Sequence, residues 1–160
     1  MMRAKPNHPL AKKTLQAWRI VGLLEWLFYL LIPIGYGLAV WYFEFPLWPT
    51  YIIVVAIILL GYFKVILIPK LKWNNWKYKV FENEVELMYG VFVIRRVIIP
   101  MIRVQHVDTK QGPILRYYQL ASVTISTAAT THEIPGLELM AADELRDHIA
   151  KLAREADPNE

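Results

Sequence analysis

Two long apolar segments dominate the first half of the chain. Residues 20–43 and 46–69 are each 24 residues long, and each holds one charged side chain, Glu25 in the first and Lys64 in the second. A helix needs about 20 predominantly apolar residues to cross the hydrocarbon core of a bilayer. The sequence therefore predicts a two-helix transmembrane hairpin over residues 20–69, preceded by a basic segment, 1–19.

Basic residues flank this hairpin on one side only. Five Lys or Arg residues precede the first span, four follow the second, and the short turn between the spans has none. Lys and Arg near the ends of spans accumulate on the cytoplasmic side. We therefore expect a multi-pass membrane protein with both termini in the cytoplasm. We expect no signal-peptide cleavage, because the first apolar segment is too long and no small-residue site follows it.

The charge of the chain also argues against nucleic-acid binding. The net charge is +4, but residues 1–72 carry +6 and residues 73–160 carry −2. The basic excess therefore borders the apolar segments, which is a pattern of membrane topology and not of a nucleic-acid footprint. The chain has no cysteine, which excludes disulfides and thiolate metal sites.

The two charges inside the spans need partners or access to water, because a charge at membrane depth is costly. Folding the hairpin at residue 45 brings Glu25, 20 residues before that point, level with Lys64, 19 residues after it. We hypothesise that they form an intramembrane pair, within one chain or between two. The alternative is that each side chain reaches the interface separately. Gly35 and Gly61 are candidates for a close contact between the helices, because glycine lets backbones approach.

The second half has the patterns of a small β-rich domain. Apolar and polar residues alternate over 76–80, 102–108 and 120–127, and the β-branched run 91–99 is interpreted as another strand. The spacing of apolar residues then changes to every third or fourth position from Leu139 to Leu152, which predicts one amphipathic helix. The sequence predicts an α+β membrane protein with six or seven antiparallel strands and a C-terminal helix. The domain is assigned to 73–156 and the tail to 157–160.

Residues that suggest catalysis are few. His106 and Asp108 share one face of a predicted strand, and Ser122 or Ser126 on a neighbouring strand would complete a hydrolase triad. The alternative is a cross-strand polar pair, and the serines lack the helix N-terminus or sharp turn that activates a nucleophile. We predict no catalytic residue, no metal site, no cofactor and no small-molecule substrate.

A polar stretch in the middle of the domain is the candidate interaction edge for a protein partner. Its residues are Arg103, Gln105, His106, Asp108, Gln111, Arg116 and Tyr117. The alternative is a long hairpin whose polar side chains satisfy its own backbone.

A second group of basic residues forms the candidate contacts to lipid headgroups. This group is Lys70, Lys72, Arg95 and Arg96. Basic residues at an anionic membrane surface each contribute on the order of 1 kcal/mol to binding. The alternative for the two arginines is a strand face opposite acids such as Glu84 or Glu86.

The order of these motifs resembles a known family. Two spans are followed by Trp76-Lys77-Tyr78, Arg96-Val97-Ile98-Ile99-Pro100, Arg103-Val104-Gln105-His106-Val107-Asp108, Gly112-Pro113-Ile114-Leu115 and Ile134-Pro135-Gly136-Leu137. This pattern resembles the YdbS-like membrane proteins that carry a bacterial pleckstrin-homology domain of the bPH2 type. The resemblance covers nearly the whole chain.

The resemblance implies a pleckstrin-homology-like split barrel of about seven strands, capped by one C-terminal helix. It also implies a plasma-membrane location and association with a larger membrane protein built of several such domains, or self-association. It carries over no catalytic residue. Lipid-binding members of the wider superfamily place basic residues around the first hairpin turn, whereas Glu82-Asn83-Glu84 occupies that turn here and would repel a phosphate.

From these observations we predict a membrane-anchored interaction module. It would serve as a non-catalytic subunit of a plasma-membrane complex linked to envelope stress or antimicrobial resistance. Its partners would be membrane lipids and the larger membrane protein or a second copy, with no nucleic acid. The first alternative is an anionic-lipid surface sensor, and the second is an enzyme that uses His106 and Asp108.

Overall fold

The computed structural model describes residue 6 and residues 8–156. The predicted tail, 157–160, and residues 1–5 and 7 of the basic N-terminal segment lie outside the described residues. The chain divides into two compact units. One is Trp18–Lys70, and the other combines the described residues up to Ala17 with those from Leu71 onward.

The apolar segments are helical. The elements are α1 (Lys12–Tyr29), α2 (Leu31–Phe43), α3 (Trp48–Tyr62), a π-helical turn (Phe63–Leu67) and α4 (Ile68–Asn75). The stretches Lys12–Phe43 and Trp48–Asn75 are each long and apolar enough to cross a membrane. Their large apolar side chains, such as Phe28, Trp41 and Tyr51, are exposed, which suits contact with lipid.

The helix of the first span is interrupted just before a proline. Pro33 lies in the first turn of α2, and the break between α1 and α2 falls at Leu30. A proline has no N–H to donate to the residue four positions earlier, and its ring clashes with that carbonyl. The carbonyl concerned belongs to Tyr29, the last residue of α1.

The second unit contains seven antiparallel strands in two sheets. The strands are β1 (His8–Pro9), β2 (Lys77–Val80), β3 (Glu84–Tyr89), β4 (Arg95–Pro100), β5 (Val104–Lys110), β6 (Leu120–Thr127) and β7 (Thr131–Glu138). The orders are β1-β2-β3-β4 and β5-β6-β7. A 3₁₀ turn (Met101–Arg103), helix α5 (Pro113–Tyr117) and the C-terminal helix α6 (Leu139–Ala156) complete it. The predicted α+β class, strand number and C-terminal helix are confirmed, but the two sheets do not close into a barrel.

One of the seven strands comes from before the hairpin. In β1, His8 pairs with Tyr78 and Pro9 with Lys77 of β2. Leu10, Thr14 and Ala17 are buried. The folded domain thus extends beyond the predicted 73–156, because residues 8–17 of the predicted segment 1–19 belong to it. The sequence does not indicate this because a two-residue edge strand has no periodicity to detect.

Among the described residues, three hydrogen bonds besides those between β1 and β2 fasten this N-terminal segment to the rest of its unit. The Ala11 N–H donates to the Gly136 carbonyl (3.3 Å), and the Thr14 hydroxyl donates to the same carbonyl. The Trp73 indole N–H donates to the Ala11 carbonyl (3.1 Å). Gly136 has φ +63°, and a Cβ there would lie 2.2 Å from Thr14 Cγ2. Glycine is therefore required for the segment to pack this closely.

The core is built around β6, the central strand of the three-stranded sheet. All residues from Leu120 to Ile125 are buried, so the alternation at 120–127 does not mark a solvent-exposed polar face. Helix α6 packs against β5 and β6 and buries Ala142 and Ile149. Ser122 and Thr124 are therefore buried along with the apolar residues of β6.

Two segments differ from the predicted strand pattern. Residues 91–94, predicted as the start of a strand, form a loop before β4. Residues 113–117, within the predicted hairpin, form α5. Pro113 stands in the first turn of α5, where proline is favoured because its missing N–H has no intrahelical partner.

Candidate functional site

The two charged residues of the spans lie side by side. Lys64 Nζ is 2.8 Å from Glu25 Oε2 and 3.3 Å from the hydroxyl of Tyr29. The ammonium also lies 4.9 Å from the centre of the Tyr29 ring. All three residues belong to one chain, so one hairpin contains the pair without a second copy.

Local backbone features bring Lys64 to this position. Lys64 lies in the π-helical turn, a wider turn that shifts the following side chains around the helix axis. Gly22 faces this turn, and a Cβ there would lie 2.7 Å from the Lys64 carbonyl oxygen. Gly61 is covered by the ring of Trp26, whose indole N–H donates to the Ile57 carbonyl (2.9 Å). A Cβ at Gly35 would meet no atom within 4 Å, so Gly35 makes no close helix contact within this hairpin.

The four candidate headgroup residues fall into different environments. Lys70, Lys72 and Arg95 are exposed. Arg96 instead binds a carboxylate, because its Nη2 lies 3.0 Å and 2.8 Å from the two oxygens of Glu86. The Glu86 side chain is fully buried. This contact agrees with the alternative interpretation, in which Arg96 lies on a strand face opposite an acidic residue. The ion pair therefore stabilises the sheet.

The candidate interaction edge occupies a continuous part of the second unit. Gln105, His106 and Asp108 are exposed on β5, and Arg103 is exposed in the preceding turn. Because β5 lies at the end of the sheet order, its outer edge is open among the described residues. A register shift between Val104 and His106 marks a bulge near the start of this edge.

The remaining members of this edge have separate roles. Gln111 donates through Nε2 to the Leu120 carbonyl (2.9 Å), so it closes the loop after β5. Arg116 and Tyr117 are exposed on α5, and 81% of Tyr117 is accessible. The Tyr117 ring meets the Tyr118 ring edge to face, with centroids 5.2 Å apart.

Helix α6 packs against β5 and makes polar contacts with it. Arg146 Nη1 lies 2.9 Å from Asp143 Oδ1 and donates to the Thr109 hydroxyl at 3.4 Å. A hydrogen bond to Asp147 raises the pKa of the Arg146 guanidinium above its ordinary value. These polar contacts join the helix to the strand and help to keep the edge in place.

The residues of the sketched hydrolase triad do not form one. His106 Nε2 is 4.0 Å from Asp108 Oδ1, and both side chains are largely exposed. Ser126 lies opposite His106 in the register, but it belongs to a paired strand near its end, and Ser122 is buried. A serine nucleophile needs an adjacent, oriented base. The arrangement fits a polar pair between two residues of β5 that share its exposed face.

The strongest exposed apolar feature of the domain was not indicated by the sequence. The loop between β3 and β4 carries Phe92, Val93 and Ile94, all exposed. A run of β-branched and aromatic residues reads as a buried strand from periodicity alone. Gly90 is the residue in the sequence that could have indicated a loop here, because its φ of +143° starts the turn.

Comparison with known proteins agrees with this architecture. Residues 20–153 match the family model described as Bacterial PH domain. The chain belongs to this family. It is 44% identical over 156 residues to the UPF0699 transmembrane protein YdbS of Bacillus subtilis (strain 168), covering 98% of each chain. No solved structure matches it. The resemblance drawn from the sequence is confirmed, and the chain is a membrane protein with a bacterial PH domain.

The bacterial PH domain of this protein is split by its own membrane hairpin. The family match begins at residue 20, whereas β1 lies before it and pairs with β2 after the hairpin. The similarity to YdbS extends over 98% of the chain. The N-terminal segment thus belongs to the bacterial PH domain as a structural unit.

The turn between β2 and β3 of the bacterial PH domain is acidic. Its backbone is closed by a hydrogen bond from the Phe81 N–H to the Glu84 carbonyl (2.9 Å), and the Met101 N–H donates to the Asn83 carbonyl (2.9 Å). Glu82 and Glu84 flank this turn, which has no basic side chain between them. Its charge opposes a phosphate ligand.

Proposed function

We propose that this protein is a membrane-anchored interaction module of the plasma membrane. Its bacterial PH domain would lie in the cytoplasm and bind a membrane-protein partner as a non-catalytic subunit of a complex. The observation that carries the proposal is the open edge of β5, where Gln105, His106 and Asp108 are exposed, together with the exposed Tyr117 of α5. An unpaired strand edge is a template for pairing with another chain, and an exposed tyrosine is a frequent anchor at interfaces.

Two features support the proposed topology. The strands β1 and β2 pair although the hairpin separates them in sequence, so the segments before and after the hairpin fold together on one side of the membrane. The basic residues flank the same two ends, which favours the cytoplasmic side. The link to envelope stress or antimicrobial resistance is part of the proposal and is supported by the resemblance to YdbS-like proteins alone.

Photocrosslinking in membranes of the native host tests the proposal. A crosslinking residue replaces Tyr117 or His106 in the tagged full chain, and a matched control replaces Lys151, which is exposed on α6. We expect one membrane protein, or a second copy, to be captured from the edge and not from Lys151. The purified partner should then bind the wild type and lose binding to a His106→Glu, Tyr117→Ser variant. Equal capture from edge and control, or unchanged binding by the variant, would contradict the proposal.

An anionic-lipid surface sensor is the second candidate, and the exposed Arg95 favours it. Salt-dependent binding to vesicles tests this role. The structure changes the design of that experiment, because the fragment 73–160 lacks β1. The full chain should be used, with Arg95→Ala compared with wild type. Loss of salt-dependent association of the domain with anionic lipid in Arg95→Ala would support the sensor role.

A further inference from the structure

The loop between β3 and β4 has an apolar tip. Phe92, Val93 and Ile94 are 82%, 73% and 55% exposed, respectively. The next residue, Arg95, is also exposed. Contiguous apolar residues on a surface, bordered by polar ones, mark a site of interaction with a protein or a membrane.

Several contacts hold the base of this loop, and they fix the position of its tip. The Asn75 side-chain amide donates to the carbonyls of Gly90 (3.1 Å) and Val91 (3.3 Å). The Tyr89 ring stacks on Trp76, with centroids 5.7 Å apart. A Cβ on Gly90 would lie 2.0 Å from the Val93 carbonyl oxygen, so the tight closure of the loop requires glycine.

The same contacts tie the loop to the end of the membrane anchor. Asn75 follows Pro69, the last residue of the predicted second span, by six positions. Six residues extend at most about 20 Å even when fully stretched. The base of the loop is therefore close to the bilayer surface whatever the path of the chain. Arg95 complements the negative charge of an anionic leaflet.

We propose that loop 90–94 inserts into the membrane that anchors the chain. Phe92 and Val93 would lie at the boundary between headgroups and acyl chains, with Arg95 among anionic headgroups. Aromatic and aliphatic side chains bordered by basic ones are suited to this interface. The inference rests on the membrane anchoring in the proposed function, and it does not require a protein partner.

Site-directed spin labelling tests the insertion, and the absence of cysteine from the chain makes each label unique. Single variants Phe92→Cys, Val93→Cys and Ile94→Cys of the full chain are labelled with a nitroxide. Lys151→Cys, on the exposed face of α6, is the matched control. The proteins are reconstituted at low density into vesicles of phosphatidylethanolamine with phosphatidylglycerol. Power saturation then compares access of oxygen, which concentrates in lipid, with access of a water-soluble nickel complex.

We expect the ratio of oxygen to nickel access to be several-fold higher at positions 92 and 93 than at position 151. A ratio at both positions equal to that of Lys151→Cys would overturn the proposal. Labels that are immobilised and shielded from both reagents would also overturn it, because the tip would then pack against protein. If Phe92→Cys does not fold, positions 93 and 94 still report.

Protease protection of the same vesicles separates failure of the loop proposal from failure of the anchoring. If the hairpin is inserted and the loop labels report water, only the loop inference fails. If the hairpin itself is not inserted, the proposed function and the loop inference both fail. If Arg95 contributes through anionic headgroups, the labels should lie less deep in vesicles of phosphatidylcholine alone than in vesicles that contain phosphatidylglycerol. An equal depth in the two kinds of vesicle would contradict the proposed role of Arg95.

Discussion

His8 and Tyr78 lie opposite each other in an antiparallel pair, with ring centroids 5.6 Å apart, although the whole membrane hairpin separates them in the chain. The domain therefore includes residues that precede the hairpin and not only those that follow the spans. Burial raises the pKa of the Tyr78 hydroxyl above its ordinary value. The hairpin behaves as an insertion in a bacterial PH domain.

Loss of the buried N-terminal segment should destabilise the domain. Leu10 is buried next to β1, and Leu10→Ala removes apolar contacts and leaves a cavity, at a cost of about 2–5 kcal/mol. Gln16→Ala, at an exposed position on the same segment, is the control and should change stability little. Thermal unfolding of the full chain in detergent, followed by near-ultraviolet circular dichroism, measures the difference. Equal midpoints for the two variants would show that the segment does not stabilise the domain.

Gly136 and Thr14 should be energetically coupled. Gly136→Ala introduces a Cβ that meets Thr14 and strains a φ of +63°, and the backbone strain alone costs about 1–3 kcal/mol. Thr14→Ala loses a buried hydrogen bond to the Gly136 carbonyl, which still accepts from the Ala11 N–H, at about 0.5–1.5 kcal/mol. In the double variant the clashes with Thr14 Cγ2 and Oγ1 are removed and only the contact with its Cβ remains, so the destabilisation should be smaller than the sum of the two. Strict additivity in a double-mutant cycle would contradict the contact.

The intramembrane pair should stabilise the hairpin. Glu25→Gln removes the carboxylate that lies 2.8 Å from Lys64 Nζ, and we expect a small but measurable loss of stability, as for other polar contacts between spanning helices. The exchanged variant Glu25→Lys, Lys64→Glu should recover part of the loss. Resistance of the hairpin to unfolding in mixed detergent is the measurement.

Glu44→Gln is the matched control for this pair, because Glu44 is the other acid of the hairpin and is exposed in its turn. It should leave stability unchanged. If Glu25→Gln also leaves the stability of the hairpin unchanged, the result would favour the alternative, in which the side chains of Glu25 and Lys64 reach the membrane interface separately.

Neighbouring arginines should respond differently to the same substitution. Arg96→Ala takes the guanidinium from the buried Glu86 carboxylate and should cost about 3 kcal/mol, the lower part of the range for a broken buried pair because Arg96 is partly exposed. Arg95→Ala, exposed one position earlier, should be close to neutral for unfolding. Chemical denaturation of the full chain distinguishes them. A destabilisation of equal size would mean that the Glu86 contact does not distinguish Arg96 from its neighbour.

Several features were predictable because they depend on local sequence. The spans follow from runs of apolar residues, and α6 follows from the spacing of Leu145, Ile149 and Leu152. The proximity of Glu25 and Lys64 also follows, because a tight hairpin fixes which residues are level with each other. The sequence left open whether Arg96 pairs with Glu86. The pattern of a strand does not show which residue of the next strand lies diagonally opposite.

The sequence alone determined the membrane hairpin, the α+β class and the family, because hydropathy and periodicity act over short stretches of chain. Tertiary structure decided that β1 completes the domain, that loop 90–94 is exposed and that the two sheets stay open. These features depend on which distant segments meet. A short strand such as His8–Pro9 is stabilised by its partner and not by its own propensity, and an apolar run has the same pattern whether it is buried in a sheet or exposed at the tip of a loop.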